Sequence, residues 1–208
     1  MTATLLFSFL FAITLLTLTP GFDTALVLRT AAVQGWRRGS VTALGINFGC
    51  LIWGVTVGFG LGALLLASEL AYNLLKWAGA GYLLYLGLKL LLYPRAQTQE
   101  ETSRETAPQS YLSCFNRGLF GNLLNPKMGV FYVTFLPQFI PAGASVPLWC
   151  TLLALMHIAI GLLWNGVLIG GSHYFAAHLR RPAVLKIMDR LTGMVFISFA
   201  AKLALSRR

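Results

Sequence analysis

Three stretches of the chain, 1–22, 39–68 and 128–179, contain no Asp, Glu, Lys or Arg, and the last runs for 52 residues. A helix crosses the hydrocarbon layer with about 20 apolar residues. The apolar runs lack the two-residue alternation of barrel strands, so they predict membrane helices. Hydropathy and helix breakers together predict six spans. The first covers 4–33 and is interrupted at Thr19-Pro20-Gly21. The second and third cover 41–67 and 70–93. The fourth covers 114–136, interrupted at Asn125-Pro126-Lys127, and the last two cover 147–174 and 183–205. The polar stretch 94–112, with Gln, Thr, Ser and three Glu, reads as a loop. An unbroken first helix would be about 45 Å long, which itself argues for a break.

Composition sharpens this picture. Hydrophobic residues make up 57% of the chain and charged ones 11%, against roughly a quarter charged in soluble domains. A soluble globular or disordered protein is thereby excluded. The net charge of +10 does not signal nucleic acid, because the basic residues sit at the ends of apolar runs and form no continuous stripe. They orient the bundle instead. With both termini outside, the inner loops collect Arg29, Arg37, Arg38, Lys89, Arg95, Arg104, Arg117, Arg180, Arg181, Lys186 and Arg190. Lys76, Lys202, Arg207 and Arg208 fall outside, and Lys127 lies within a span. Cys50, Cys114 and Cys150 are isolated and suggest no disulfide framework or redox motif. Residues 1–22 have no basic leader region and are read as the start of the first span rather than a signal peptide.

The two halves share a spacing. Pro20 and Pro126 are 106 positions apart, as are the starts of the second and fifth spans at Val41 and Pro147. Gly81 and Lys89 in the third span are echoed by Gly193 and Lys202 in the sixth. Three spans per half put the second half into the membrane in the opposite sense. The expected fold is all-α, with six transmembrane helices in two inverted repeats, the construction of many secondary transporters. The repeats would be 1–93 and 113–208, joined by a cytoplasmic loop over 94–112.

Chemistry concentrates at the two breaks. Pro20 cannot donate to the carbonyl of Leu16, nor Pro126 to that of Asn122. Thr19 and Asn125 precede them as N-cap types, so each proline is expected at the first position of a new helix. Such a helix start carries free N–H groups and partial positive charge, which suit a carboxylate. The released carbonyls upstream suit an ammonium group. Irregular backbone at this depth must be buried in protein or line a cavity, so two facing breaks would form a polar midplane site. A pair of packing kinks is the plainer alternative.

Asp23 and Lys127 stand beside the breaks, where an unpaired charge costs at least about 2.5 kcal/mol. Asp23 could hold an amine, carry a coupling proton or pair with Lys127. Lys127 could anchor a carboxylate or neutralise Asp23. Thr19, Pro20, Gly21, Asn122, Asn125 and Pro126 complete the candidate substrate site, with Asn47 and Gln138 as further polar candidates. Asn165 and Thr17 are explained equally well by bonds between helices. His157 reads as a packing residue, and Trp53 and Trp164 as either packing or pocket walls. Gly45 with Gly49, and Gly58 with Gly62, have spacing that permits close helix contact.

The residues around these breaks resemble the lysine-exporter family of bacterial amino-acid efflux permeases, the LysE/RhtB group. The resemblance is carried by Thr19-Pro20-Gly21-Phe22-Asp23-Thr24 with Ala25-Leu26-Val27-Leu28, and by the run from Leu75-Lys76-Trp77 to Tyr85-Leu86-Gly87. Asn122-Leu123-Leu124-Asn125-Pro126-Lys127, Leu136-Pro137-Gln138-Phe139 and the ending from Leu191-Thr192-Gly193 to Ala200-Ala201-Lys202-Leu203 extend it over nearly the whole chain. Phe22 stands where the family usually has a second proline. The resemblance implies export of amino acids or small derivatives from the cytoplasm, driven by the proton gradient.

The expectation is a multi-pass transporter of the bacterial inner membrane, not an enzyme, with both termini periplasmic. It needs no cofactor. Its expected partners are an amino-acid substrate, protons and the lipid bilayer, with no nucleic acid; a homodimer is left open. Two rivals have specific requirements. A metal-ion exporter needs dense ligands, whereas His157, His173 and His178 are scattered. A membrane-embedded enzyme needs a CxxC or a nucleophile–base pair. No GxxxxGK[ST] motif is present, so ATP drive would require another subunit.

Overall fold

The computed structural model describes residues 3–67, 69–94, 109–141, 143–172, 174 and 181–205, and these are all-helical. The predicted loop over 94–112 lies mostly outside them. Eight α-helices are present among the described residues. They are α1 Ala3–Leu18, α2 Phe22–Gln34, α3 Trp36–Ala67, α4 Glu69–Leu92, α5 Tyr111–Leu123, α6 Pro126–Phe135, α7 Val146–Gly170 and α8 Pro182–Leu205. A short 3-10 turn, Leu136–Phe139, follows α6.

By length and composition α3 and α7 are each able to cross a membrane. A third span results if α1 and α2, bent by 51° at the first break, count as one. The outer surface agrees with a lipid environment: Phe7, Phe11, Leu74 and Leu163 are exposed, whereas Asn47, Asn122, His157, Asp189 and Thr192 are buried. A soluble protein distributes these types the other way round.

The connections explain where the helices turn. Gly35 separates α2 from α3 with a φ of 89°, a left-handed conformation that a residue with a Cβ adopts only at a cost. That turn lets α3 start at Trp36, earlier than the hydropathy pattern indicates. Helix α3 then packs along α5 and α7, and α4 packs along α8. Gly45 and Gly49 face α5, and Gly58 faces α7. Gly62 lies outside the residues whose side chains are described.

Helices α4 and α8 touch through a reciprocal pair. A Cβ on Gly87 would lie 2.8 Å from the carbonyl oxygen of Gly193, and one on Gly193 would lie 2.7 Å from that of Gly87. These two glycines are also 106 positions apart, whereas the sequence pattern pairs Gly193 with Gly81.

On one side of the breaks the interior is filled by aromatic rings from α1, α6, the 3-10 turn and α8. Phe135 lies 4.4 Å from Phe131 and 4.2 Å from Phe199, centroid to centroid, and Phe9 lies 5.2 Å from Phe139. These rings close that half of the bundle and leave the polar groups clustered at the breaks.

Candidate functional site

The second break follows the expected cap chemistry. Asn125 is the N-cap of α6, its side-chain oxygen accepting from the backbone N–H of Lys127 at 3.1 Å, and Pro126 takes the first helical position. The first break does not. Helix α2 starts at Phe22 with extended Gly21 as its N-cap and no side-chain cap. Thr19 is therefore not a cap, and Pro20 is not the first helical residue. The Thr19 hydroxyl donates back to the carbonyl of Leu15 at 2.7 Å and meets the Thr192 hydroxyl on α8. A hydroxyl engaged within its own helix and with a neighbour is lost to the next helix, so the cap position moves two residues on.

The breaks hold each other crosswise. Asp23, in the first turn of α2, accepts from Asn122 Nδ2 at 2.8 Å and from Asn125 Nδ2 at 3.3 Å. Lys127, in the first turn of α6, donates from Nζ to the carbonyls of Leu16 at 3.3 Å and Thr19 at 3.5 Å. The Leu16 carbonyl is the one Pro20 cannot serve. Electrostatically Asp23 is at the favourable end of its helix and Lys127 at the unfavourable end of its own. The open carbonyls at the end of α1 offset this, since that is the negative end of a helix. Lys127 also lies near enough to Asp23 to act on it electrostatically.

Asn122 fits only because of α3. A Cβ on Gly49 would stand 2.6 Å from Asn122 Oδ1. The fully buried Asn122 amide also contacts Cys50 Sγ at 3.5 Å. Behind Cys50, the buried Tyr132 hydroxyl hydrogen-bonds His157 Nδ1 at 2.9 Å. Asp23, Lys127 and Asn125 open onto a cavity of about 60 Å³. Thr19, Gly21 and Asn47 also line it, and α7 closes it with His157, Gly161, Trp164 and Asn165.

The structure thus brings together Asp23, Lys127, Thr19, Gly21, Asn122, Asn125 and Asn47. Pro20 is buried in the first gap, and Pro126 begins α6. Gln138 stands apart in the 3-10 turn, where its Nε2 donates to the Thr134 carbonyl at 3.1 Å and its buried Oε1 has no partner among the described residues. Sequence reasoning gave too little weight to the α7 face and passed over Cys50, Tyr132 and Thr192. It also passed over Asp189, fully buried on α8 one turn before Thr192. The available signal for Asp189 was a lone acid at a span's edge, masked by the neighbouring Lys186 and Arg190.

Comparison with known proteins bears on this arrangement directly. The family described as LysE type translocator matches residues 14–207, nearly the whole chain and both breaks. The chain belongs to the LysE family. Among its relatives, the homoserine/homoserine lactone efflux protein of Salmonella typhimurium is 32% identical, the match covering 97% of this chain and 96% of the relative. The leucine efflux protein of Klebsiella pneumoniae is 31% identical over 90% of this chain and 88% of that one. An uncharacterized membrane protein of Bacillus subtilis, YrhP, is 28% identical over 90% and 92%. No solved structure matches the chain significantly. As a LysE-family chain with an apolar, helical exterior, this is a membrane protein of a transporter family.

Proposed function

We propose that this LysE-family chain is a secondary transporter that exports amino acids across the bacterial cytoplasmic membrane in exchange for protons. The observation that carries the reading is the crosswise hold of Asp23 and Lys127 between two helices broken inside the bundle, beside a cavity. An α-amino acid is a zwitterion, and this site offers one carboxylate and one ammonium. The substrate amine binds Asp23 and displaces its proton. The substrate carboxylate binds Lys127 and the N–H groups at the start of α2, whose N-cap, Gly21, provides no side-chain cap. Asp23 then binds either a proton or an amine, which is the competition that exchange requires. Relatives named for efflux of homoserine, its lactone and leucine support the amino-acid class.

The architecture in this reading is six spans in two inverted repeats, 1–93 and 113–208, joined by a cytoplasmic segment over 94–112, with both termini periplasmic. The 106-residue offset shared by the prolines and by the reciprocal Gly87–Gly193 contact supports it. Alternating access then rocks one repeat against the other around the fixed site. The aromatic cluster of Phe9, Phe131, Phe135, Phe139 and Phe199 is the closed gate on the periplasmic side. Counterflow of labelled amino acids in proteoliposomes, with and without a pH gradient, tests the function. Saturable exchange accelerated by the gradient supports it; no exchange of any amino acid would refute it.

A further inference from the structure

Helices α2 and α5 meet the breaks at one end, through Asp23 and Asn122, and carry a second polar seam at the other. There Gln109 joins them: its backbone N–H donates to Gln34 Oε1 at 3.1 Å, and its carbonyl accepts from Arg38 Nε of α3 at 2.6 Å. Arg29, Thr30 and Gln34 of α2 line a small cavity at this joint with Gln109 and with Arg117 of α5. Arg117 also lines an open groove of about 490 Å³, with Ser110, Leu112, Ser113, Asn116 and Phe120. No residue lining either space is acidic. We infer that the groove along α5 binds an anionic phospholipid, with the phosphate at Arg117.

Size places the phosphate. The inner cavity, about 10 Å³, has room for one water at most, whereas the groove admits a headgroup. A guanidinium offers paired N–H donors to phosphate oxygens, and the Ser113 hydroxyl and Asn116 amide add further donors beside it. Arg29 supplies a second positive charge from the neighbouring cavity.

The surroundings favour a lipid over a free anion. Leu112, Asn116, Phe120 and Leu124 recur every four residues along α5 and its C-cap, and all four are exposed. This stripe leads from the polar groove to the apolar length of the bundle, the path an acyl chain takes. Trp36 and Tyr111 are exposed nearby, with Arg37 and Arg38 lying 5.4 Å and 5.3 Å from their ring centroids. Such aromatic residues mark the membrane boundary, which sets the groove at headgroup depth. In the orientation proposed above it opens on the cytoplasmic leaflet, where basic pockets between membrane helices hold anionic headgroups. Asn122 lies five residues beyond Arg117 on α5, and Asp23 six before Arg29 on α2. A bound lipid therefore steadies the two helices that hold each other at the breaks.

The test uses the purified full chain in a nonionic detergent, titrated with phosphatidylglycerol, phosphatidylcholine or inorganic phosphate. Native mass spectrometry counts bound lipid, and thermal unfolding reads stabilisation. Wild type is expected to bind phosphatidylglycerol about tenfold more tightly than phosphatidylcholine and to unfold at a higher temperature with it. Inorganic phosphate at equal concentration should not raise the unfolding temperature. Arg117→Gln should remove most of the preference and Arg29→Gln a smaller part, while Arg117→Lys keeps most of it. Replacing Arg207 and Arg208 by Gln should leave it unchanged. The ratio of two lipids within one preparation is insensitive to a misfolded fraction. An equal ratio in wild type and in Arg29→Gln with Arg117→Gln, or equal stabilisation by inorganic phosphate, would overturn the inference. So would a wild type without preference that gains one when Glu100, Glu101 and Glu105 become Gln, because the chain's own acids would then fill the groove.

Discussion

The two helix breaks look alike in sequence and are built differently. The second supplies its own cap: Asn125 caps α6 with its oxygen, and the same amide gives its nitrogen to Asp23 of the first break. The first is completed from outside. Helix α2 starts without a side-chain cap, and the carbonyls left open at the end of α1 are taken by Lys127 from the second break. One break is therefore capped by its own residue, and the other is completed by its partner. For a transporter this asymmetry is useful, because a helix start that no N-cap side chain covers suits an anionic group of a substrate.

Removing the bridging cation should show the largest effect. Lys127→Met leaves Asp23 and the open carbonyls without it, and breaking a buried charge arrangement costs about 3–5 kcal/mol. Thermal unfolding in detergent should drop accordingly, and export should be lost. The double variant Asp23→Asn with Lys127→Met should recover much of the stability but no transport. If both variants unfold at the same temperature, the crosswise hold is not what links the breaks.

Overpacking at the α3 wall comes next. Gly49→Val drives a side chain into Asn122, and insertion into a packed interior costs about 1–3 kcal/mol. Because Asn122 also holds Asp23, export should fall more than stability alone accounts for. Comparing initial rates per folded transporter checks this.

The caps themselves separate the breaks by a smaller margin. Asn125→Ala removes an N-cap, worth about 1–2 kcal/mol, together with a bond to a carboxylate, and export should fall about tenfold. Thr19→Val removes bonds to Leu15 and Thr192 but no cap, so it should cost about 1 kcal/mol or less. Equal losses from these two substitutions would mean that the first break is capped after all.

The asymmetry also marks how far the sequence could be read. Proline inside an apolar run exposes both breaks, and the Asn-Pro pair is enough to place the cap of α6. The same rule misplaces the first cap, because the Thr19 hydroxyl is claimed by Leu15 and by Thr192, a residue from the far end of the chain. Asp23 and Lys127 stand out because charge is scarce inside spans. Which groups each would touch depends on packing that hydropathy does not encode. His157 shows this most plainly: alone in the sequence, it lies in the structure between Tyr132 and the cavity. The α7 face was hidden for a related reason, since an Asn or Trp in a span looks the same whether it faces a helix or a cavity.

The central claim is that Asp23 exchanges a proton for the substrate amine between the two breaks. Amino-acid efflux from proteoliposomes containing wild type or Asp23→Asn, with and without an imposed pH gradient, measures this most directly. Stimulation by the gradient in wild type and its complete loss in Asp23→Asn, in a variant whose unfolding profile shows it still folded, is the predicted result. Gradient-stimulated efflux of wild-type size in Asp23→Asn would contradict the account.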